Sequence, residues 1–84
     1  MPYEIKFEKR AFKFINKQPP KQKERILRAI YQLPDRGDIK AMAGSANYYR
    51  LRVGDYRVIY ILDNGILLIT VVDVDNRGDV YNPY

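Results

Sequence analysis

Residues 48–60 read Tyr48-Tyr49-Arg50-Leu51-Arg52-Val53-Gly54-Asp55-Tyr56-Arg57-Val58-Ile59-Tyr60. Two β-rich runs flank a Gly-Asp pair, the pattern of a two-residue hairpin loop in which glycine supplies the positive φ. Such a loop fixes the register: Val53 faces Tyr56, Arg52 faces Arg57, and Arg50 faces Ile59. Opposed residues share a sheet face, and neighbours along a strand alternate between faces. One face therefore carries Tyr48, Arg50, Arg52, Arg57, Ile59 and Ile61. The other carries Tyr49, Leu51, Val53, Tyr56, Val58, Tyr60 and Leu62. This second set is apolar or aromatic throughout, and it is the side expected to bury against helices.

The first face concentrates positive charge. Like charges directly opposed across a sheet are unfavourable. At about 4 Å the repulsion is ~1 kcal/mol in water and ~4 kcal/mol at a near-surface effective dielectric of about 20. Folding gains nothing obvious from setting Arg52 against Arg57 with Arg50 two residues away. A bound anion would relieve the repulsion. So would carboxylates from Asp55, Asp73, Asp75 or Asp79, the usual fate of surface arginines.

Downstream, Asn64-Gly65 reads as a second two-residue loop leading into an apolar run, Ile66–Val74. This pairs Arg57 with Val72 and Ile59 with Thr70. It puts Leu68, Thr70, Val72 and Val74 on the arginine face, and Ile69 and Val71 on the helix face. A strand apolar on both sides suits a central position. Upstream, Tyr3 to Phe7 alternates apolar and charged residues, as a strand does. Glu8 to Asn16 carries Ala11, Phe12 and Ile15 at helical spacing. Pro19-Pro20 breaks the chain and opens a second helix, proline being tolerated in a first turn. The stripe Ile26, Leu27, Ile30, Leu33 follows, and Pro34 ends it. Lys21, Lys23, Glu24, Arg25, Arg28 and Gln32 form the opposite face. Asp35 to Asn47 reads as a loop. The expected fold is α+β: an N-terminal strand, two helices, then an antiparallel meander with the helices packed on one sheet face. Residues 1–84 make one domain.

The chain has 84 residues and a net charge of +5, which favours polyanionic or acidic partners. Eleven Lys/Arg against five Asp/Glu lie in residues 1–40, whereas residues 41–84 hold four cations, all arginine. Arginine is the better residue for bidentate phosphate contact. Absence of cysteine removes disulfides and thiolate metal sites. Absence of histidine removes the commonest metal ligand and general base. No phosphate-binding glycine loop, paired catalytic carboxylates or metal-ligand spacing is present, so neither metal nor cofactor is expected. No apolar run is long enough for a membrane helix, and the first residues lack the apolar core of a signal peptide. A soluble, cytoplasmic protein is expected.

The segment 48–60 resembles the central hairpin of the RelE/ParE toxin superfamily. The tail Val74-Asp75-Asn76-Arg77-Gly78-Asp79-Val80-Tyr81 is similar to its C-terminal segment, and the order strand–helix–helix–meander matches along essentially the whole chain. The resemblance implies a toxin of a type II toxin–antitoxin system, held inactive by a cognate RelB-like antitoxin. RelE-like members are ribosome-dependent mRNA endonucleases, so ribosome and mRNA are implied partners. Carried over by motif, the catalytic residues would be Arg50, Arg52, Arg57, Arg77 and Tyr81. Tyr48, on the arginine face, and the basic helix residues Lys21, Lys23, Arg25 and Arg28 are weaker RNA-binding candidates. Tyr49, Tyr56 and Tyr60 are expected in the core.

An arginine set suits RNA cleavage by the neighbouring 2′-hydroxyl, because negative charge gathers on the phosphoryl oxygens in the transition state. Each fixed donor there is worth roughly 10²–10³ in rate. Two departures from the family pattern bear on the general base. Arginine stands where some members have lysine, and Asn76 stands where a histidine is frequent. Asp75, Asp79, Tyr81, water and the ribosome remain candidates, as does purely electrostatic catalysis. Two other readings stay open: a ParE-like DNA gyrase inhibitor, and a catalytically decayed toxin that only binds antitoxin or RNA.

Overall fold

The computed structural model describes residues 3–44 and 46–76. The element order is β1 (Glu4–Phe7), α1 (Lys9–Asn16), α2 (Pro20–Ile30), β2 (Asp38–Ala41), β3 (Tyr48–Val53), β4 (Tyr56–Asp63) and β5 (Leu68–Asn76). The strands form one sheet in the order β1-β5-β4-β3-β2. β1 joins β5 in parallel, and every other pairing is antiparallel. The α+β architecture expected from the sequence is therefore present, with β5 in the interior. No helix among the described residues is long and apolar enough to cross a membrane.

Both helices pack on one sheet face. Ala11, Ile15, Ile26, Ile30 and Leu33 meet Leu51, Val53, Tyr56, Val58, Tyr60, Ile69, Val71 and Val74 in a single buried cluster. The apolar face read from the central hairpin is thus the core face. Tyr56 is anchored twice: its hydroxyl donates to Gln18 Oε1 at 2.9 Å, and its ring meets Phe14 edge-on. α2 stops at Ile30, a turn short of the stripe's last residue. Leu33 still reaches the core, from a turn closed by its own N–H donating to the Ile30 carbonyl.

Tyr60 is the largest fully buried side chain and stacks on Tyr49 at 5.6 Å between ring centroids. Burial, followed by the nearby Tyr49, pushes its phenol from 10.0 up to about 12. A raised phenol keeps its full contribution to stability below the unfolded value, and that contribution is lost as pH climbs through the folded one. The shift amounts to at most about 3 kcal/mol. Denaturation midpoints measured across this alkaline range should fall more steeply for the parent protein than for Tyr60→Phe. Parallel curves would show that Tyr60 ionises without cost.

The β3–β4 register matches the hairpin reading pair for pair, including Arg52 opposite Arg57 and Arg50 opposite Ile59. Gly54 at the loop has φ +58°, and a Cβ there would stand 2.9 Å from the Arg25 guanidinium. Two expectations are corrected. First, part of the 35–47 loop is a strand: β2 pairs with β3, setting Asp38 opposite Arg52 and Lys40 opposite Arg50. Second, β4 and β5 are joined by a longer loop than Asn64-Gly65. Asp63 Oδ1 accepts from the Gly65 and Ile66 backbone N–H groups, and the left-handed residue is Leu67, at φ +54°. The pairing is therefore Ile61 with Thr70 and Tyr60 with Val71. A bulge then leaves Val72 extra, so that Ile59 faces Asp73 and Arg57 faces Asp75. The bulge reverses the alternation: Val74 enters the core, and Asp73 and Asp75 move to the arginine face.

Candidate active site

The sheet face away from the helices bears two charged rows, set by register across four strands. One row runs Asp38, Arg52, Arg57, Asp75; the other runs Lys40, Arg50, Ile59, Asp73. The first row answers the opposed arginines with protein carboxylates at both ends. Arg57 Nη2 donates to Asp75 Oδ2 at 2.9 Å, with both side chains largely shielded from solvent. Arg52 Nε lies 3.8 Å from Asp38 Oδ2 in a more exposed pair. Asp75 was one of the carboxylates expected as a partner, whereas Asp38 emerges only with β2. The Arg52–Arg57 opposition is thus compensated within the fold and does not by itself require an anion.

The second row is different. Among the described residues, neither Lys40 nor Arg50 has a carboxylate within ion-pair distance. Asp73, at the far end, instead lies 3.9 Å from Arg10. Arg50 Nε is buried and makes no hydrogen bond. Beside it opens a cavity of about 300 Å³ lined by Lys40, Ala41, Met42, Ala43, Arg50, Arg57 and Ile59. Three cationic side chains and an apolar wall thus share one concavity. Two of these cations, Lys40 and Arg50, lack a carboxylate partner among the described residues, and a partly desolvated cleft of this charge favours an anion.

The candidates from the sequence divide as follows. Arg50 and Arg57 line the cavity. Arg52 is on the same face but exposed, outside the cavity lining and engaged with Asp38. Tyr48 is half-buried on that face, opposite Ile61, and does not line the cavity. Arg77 and Tyr81 lie outside the described residues. Lys21, Lys23, Arg25 and Arg28 belong to α2, so the sheet stands between their helix and the cavity. Arg28 pairs with Glu24 at 3.3 Å, and Arg25 covers the Gly54 turn. Lys40 is not among the sequence candidates, because its short strand lies in the stretch with loop character. The available signal was the run Asp38-Ile39-Lys40, polar–apolar–polar, ahead of a hairpin with an open edge.

A sequence profile of the ParE toxin of type II toxin–antitoxin systems (parDE) matches residues 5–81. The chain belongs to this RelE/ParE toxin family. Toxin RelG of Mycobacterium tuberculosis is 29% identical, over 96% of this chain and 98% of the relative. The archaeal RelE–RelB complex from Pyrococcus horikoshii superposes with a TM-score of 0.77 at 29% identity, covering 93% of this chain and 98% of that one. The RelB–RelE complex from Methanococcus jannaschii gives 0.74 at 28%, covering 94% and 98%. The protein is accordingly a RelE-like toxin of a type II toxin–antitoxin system.

Proposed function

We propose that this RelE-like toxin is a ribosome-dependent mRNA endonuclease that needs no metal. The observation that carries the reading is the cavity on the helix-free sheet face, where Arg50 and Arg57 converge on one volume. In the proposed reaction the 2′-oxygen attacks the adjacent phosphorus and the bond to the 5′-oxygen breaks. The products are a 2′,3′-cyclic phosphate and a 5′-hydroxyl, with one proton leaving the 2′-hydroxyl and one reaching the leaving oxygen. Arg50 and Arg57 stabilise the charge on the phosphoryl oxygens, as guanidinium forks suit phosphate. Asp75 holds Arg57 through Nη2 and so restricts the guanidinium to one orientation. Fixing a donor before the reaction is what makes it useful in the transition state.

Arg77 is assigned to the scissile phosphate on the leaving-group side, and Tyr81 to stacking or hydrogen bonding at the reacting centre. Arg52 is assigned to the RNA backbone at the margin of the site. These assignments rest on the motif resemblance. Orientation of the mRNA by the ribosome contributes the rest of the acceleration. A RelB-like antitoxin is the expected partner, since the structural relatives include RelE–RelB complexes. A positive surface is best masked by acidic segments, so the antitoxin should present carboxylates toward the arginine face.

Primer extension on a defined mRNA, with and without programmed ribosomes, tests the proposal. Cleavage within the ribosomal A site, absent without ribosomes, is the expected result. The matching profile is that of a ParE toxin, which makes gyrase inhibition the second reading. A supercoiling assay run in parallel decides between them. Inactivity in both assays would leave a toxin that only binds its antitoxin or RNA.

A further inference from the structure

We infer that Lys40 is a phosphate-contacting residue of this site, and that Lys40 and Arg50, with Arg57, form its anion-binding centre. The inference rests on the nuclease reading for its substrate but not for its geometry. Lys40 sits on the edge strand β2 directly opposite Arg50, and both line the same cavity as Arg57. Opposing like charges across a sheet is unfavourable, and here the pair lacks the compensation given to its neighbours. Arg52 has Asp38 and Arg57 has Asp75, whereas Lys40 and Arg50 have no carboxylate partner among the described residues. Arg50 also has its Nε shielded from solvent without a hydrogen bond. A protein N–H shielded from water costs stability unless something accepts from it.

The ligand that satisfies this arrangement is an anion with several acceptor oxygens, held between two strands. The adjoining wall of Ala41, Met42 and Ala43 is apolar, and Met42 is exposed. A phosphodiester of single-stranded RNA fits both halves, with oxygens on Lys40 and Arg50 and a base or sugar against Met42. Lysine contributes here as a compact point charge with rotatable donors, complementing the fixed fork of Arg50. Lys40 thereby joins the site through β2, an element that the hairpin motif does not include.

The test uses two readouts on the same proteins. The first is titration of the full-length toxin with inorganic phosphate, followed by backbone amide NMR shifts. The second is ribosome-dependent cleavage of a defined mRNA. Variants are Lys40→Gln, Lys40→Arg, and Lys17→Gln as a control that removes one charge just past the end of α1. Phosphate should move the amides around residues 40, 50 and 57. Lys40→Gln should weaken that response and lower cleavage by about tenfold each, the scale of one lost charge-assisted contact. Lys40→Arg should restore most of both, and Lys17→Gln should match the parent. Equal behaviour of Lys40→Gln and Lys17→Gln would overturn the assignment while leaving the nuclease reading standing. A parent protein that binds phosphate through Lys40 but cuts no mRNA would do the reverse. Phosphate shifts that bypass these residues would also overturn it. Lys40 is exposed on an edge strand, and a matching denaturation midpoint for each variant confirms an intact fold.

Discussion

Arg57→Ala should lower ribosome-dependent mRNA cleavage by at least ~10²-fold, the usual loss when one transition-state donor is removed from a site that excludes water. Arg57 lines the cavity, is largely shielded, and has its guanidinium set by the 2.9 Å contact with Asp75. Its orientation is therefore established before substrate arrives. The same substitution also leaves Asp75 half-buried without its cation, and Asp75 Oδ1 already accepts no hydrogen bond. Breaking a shielded charged pair from one side costs about 1–3 kcal/mol of stability. Activity loss must therefore be separated from loss of fold. Arg57→Ala combined with Asp75→Ala removes both charges and should recover part of the denaturation midpoint, but none of the rate. Arg57→Lys keeps the charge and loses the fork, so it should fall between parent and alanine. Cleavage by Arg57→Ala at the parent rate, measured by primer extension, would sink the assignment.

The residues around Arg57 also show where the sequence was sufficient and where it was not. Gly54-Asp55 leaves β3 and β4 one sensible register, because both runs have a clear apolar face and the turn admits no slack. The arginine face follows directly from it. β5 offered no such constraint, because Leu68-Ile69-Thr70-Val71-Val72 accepts either register with little change in burial. The decisive residues were Asp73 and Asp75. Unbroken alternation from an Asn64-Gly65 turn would have sent both into the helix-packed core, at a cost no fold of this size could carry. The bulge at Val72 avoids that and delivers Asp75 to Arg57. β2 was illegible for another reason. A short edge strand buries little and carries charge on its outer positions, as edge strands generally do, and so resembles a loop. Lys40 and Asp38 were hidden with it. Half the cavity is therefore readable from the central hairpin, and the other half depends on an edge strand whose local signal, Asp38-Ile39-Lys40, is too short to stand apart from a loop.

Leu51→Ala should remove a large fraction of the folding stability, although Leu51 does not itself line the cavity. Leu51 is fully buried and lies between Arg50 and Arg52 on β3, paired with Ile39 on one side and Val58 on the other. Its methyl group also occupies the space beside Gly37, where a Cβ would come within 2.6 Å. Truncating such a side chain costs about 2–5 kcal/mol, because the lost contacts leave a cavity that close-packed neighbours cannot fill. A chain of this length has only about 4–13 kcal/mol in total. Arg50→Ala, one residue away, points to the other face and should change stability by no more than about 1 kcal/mol, because it removes a cation facing Lys40 across the sheet. Urea denaturation of both variants checks the contrast. Similar midpoints would mean that β3 does not divide core from site by simple alternation. A large loss for Leu51→Ala with near-parent stability for Arg50→Ala would show that one strand holds the fold on its inner face. Its outer face would then remain free to carry charge for binding, which is what allows the three hairpin arginines to be kept at all.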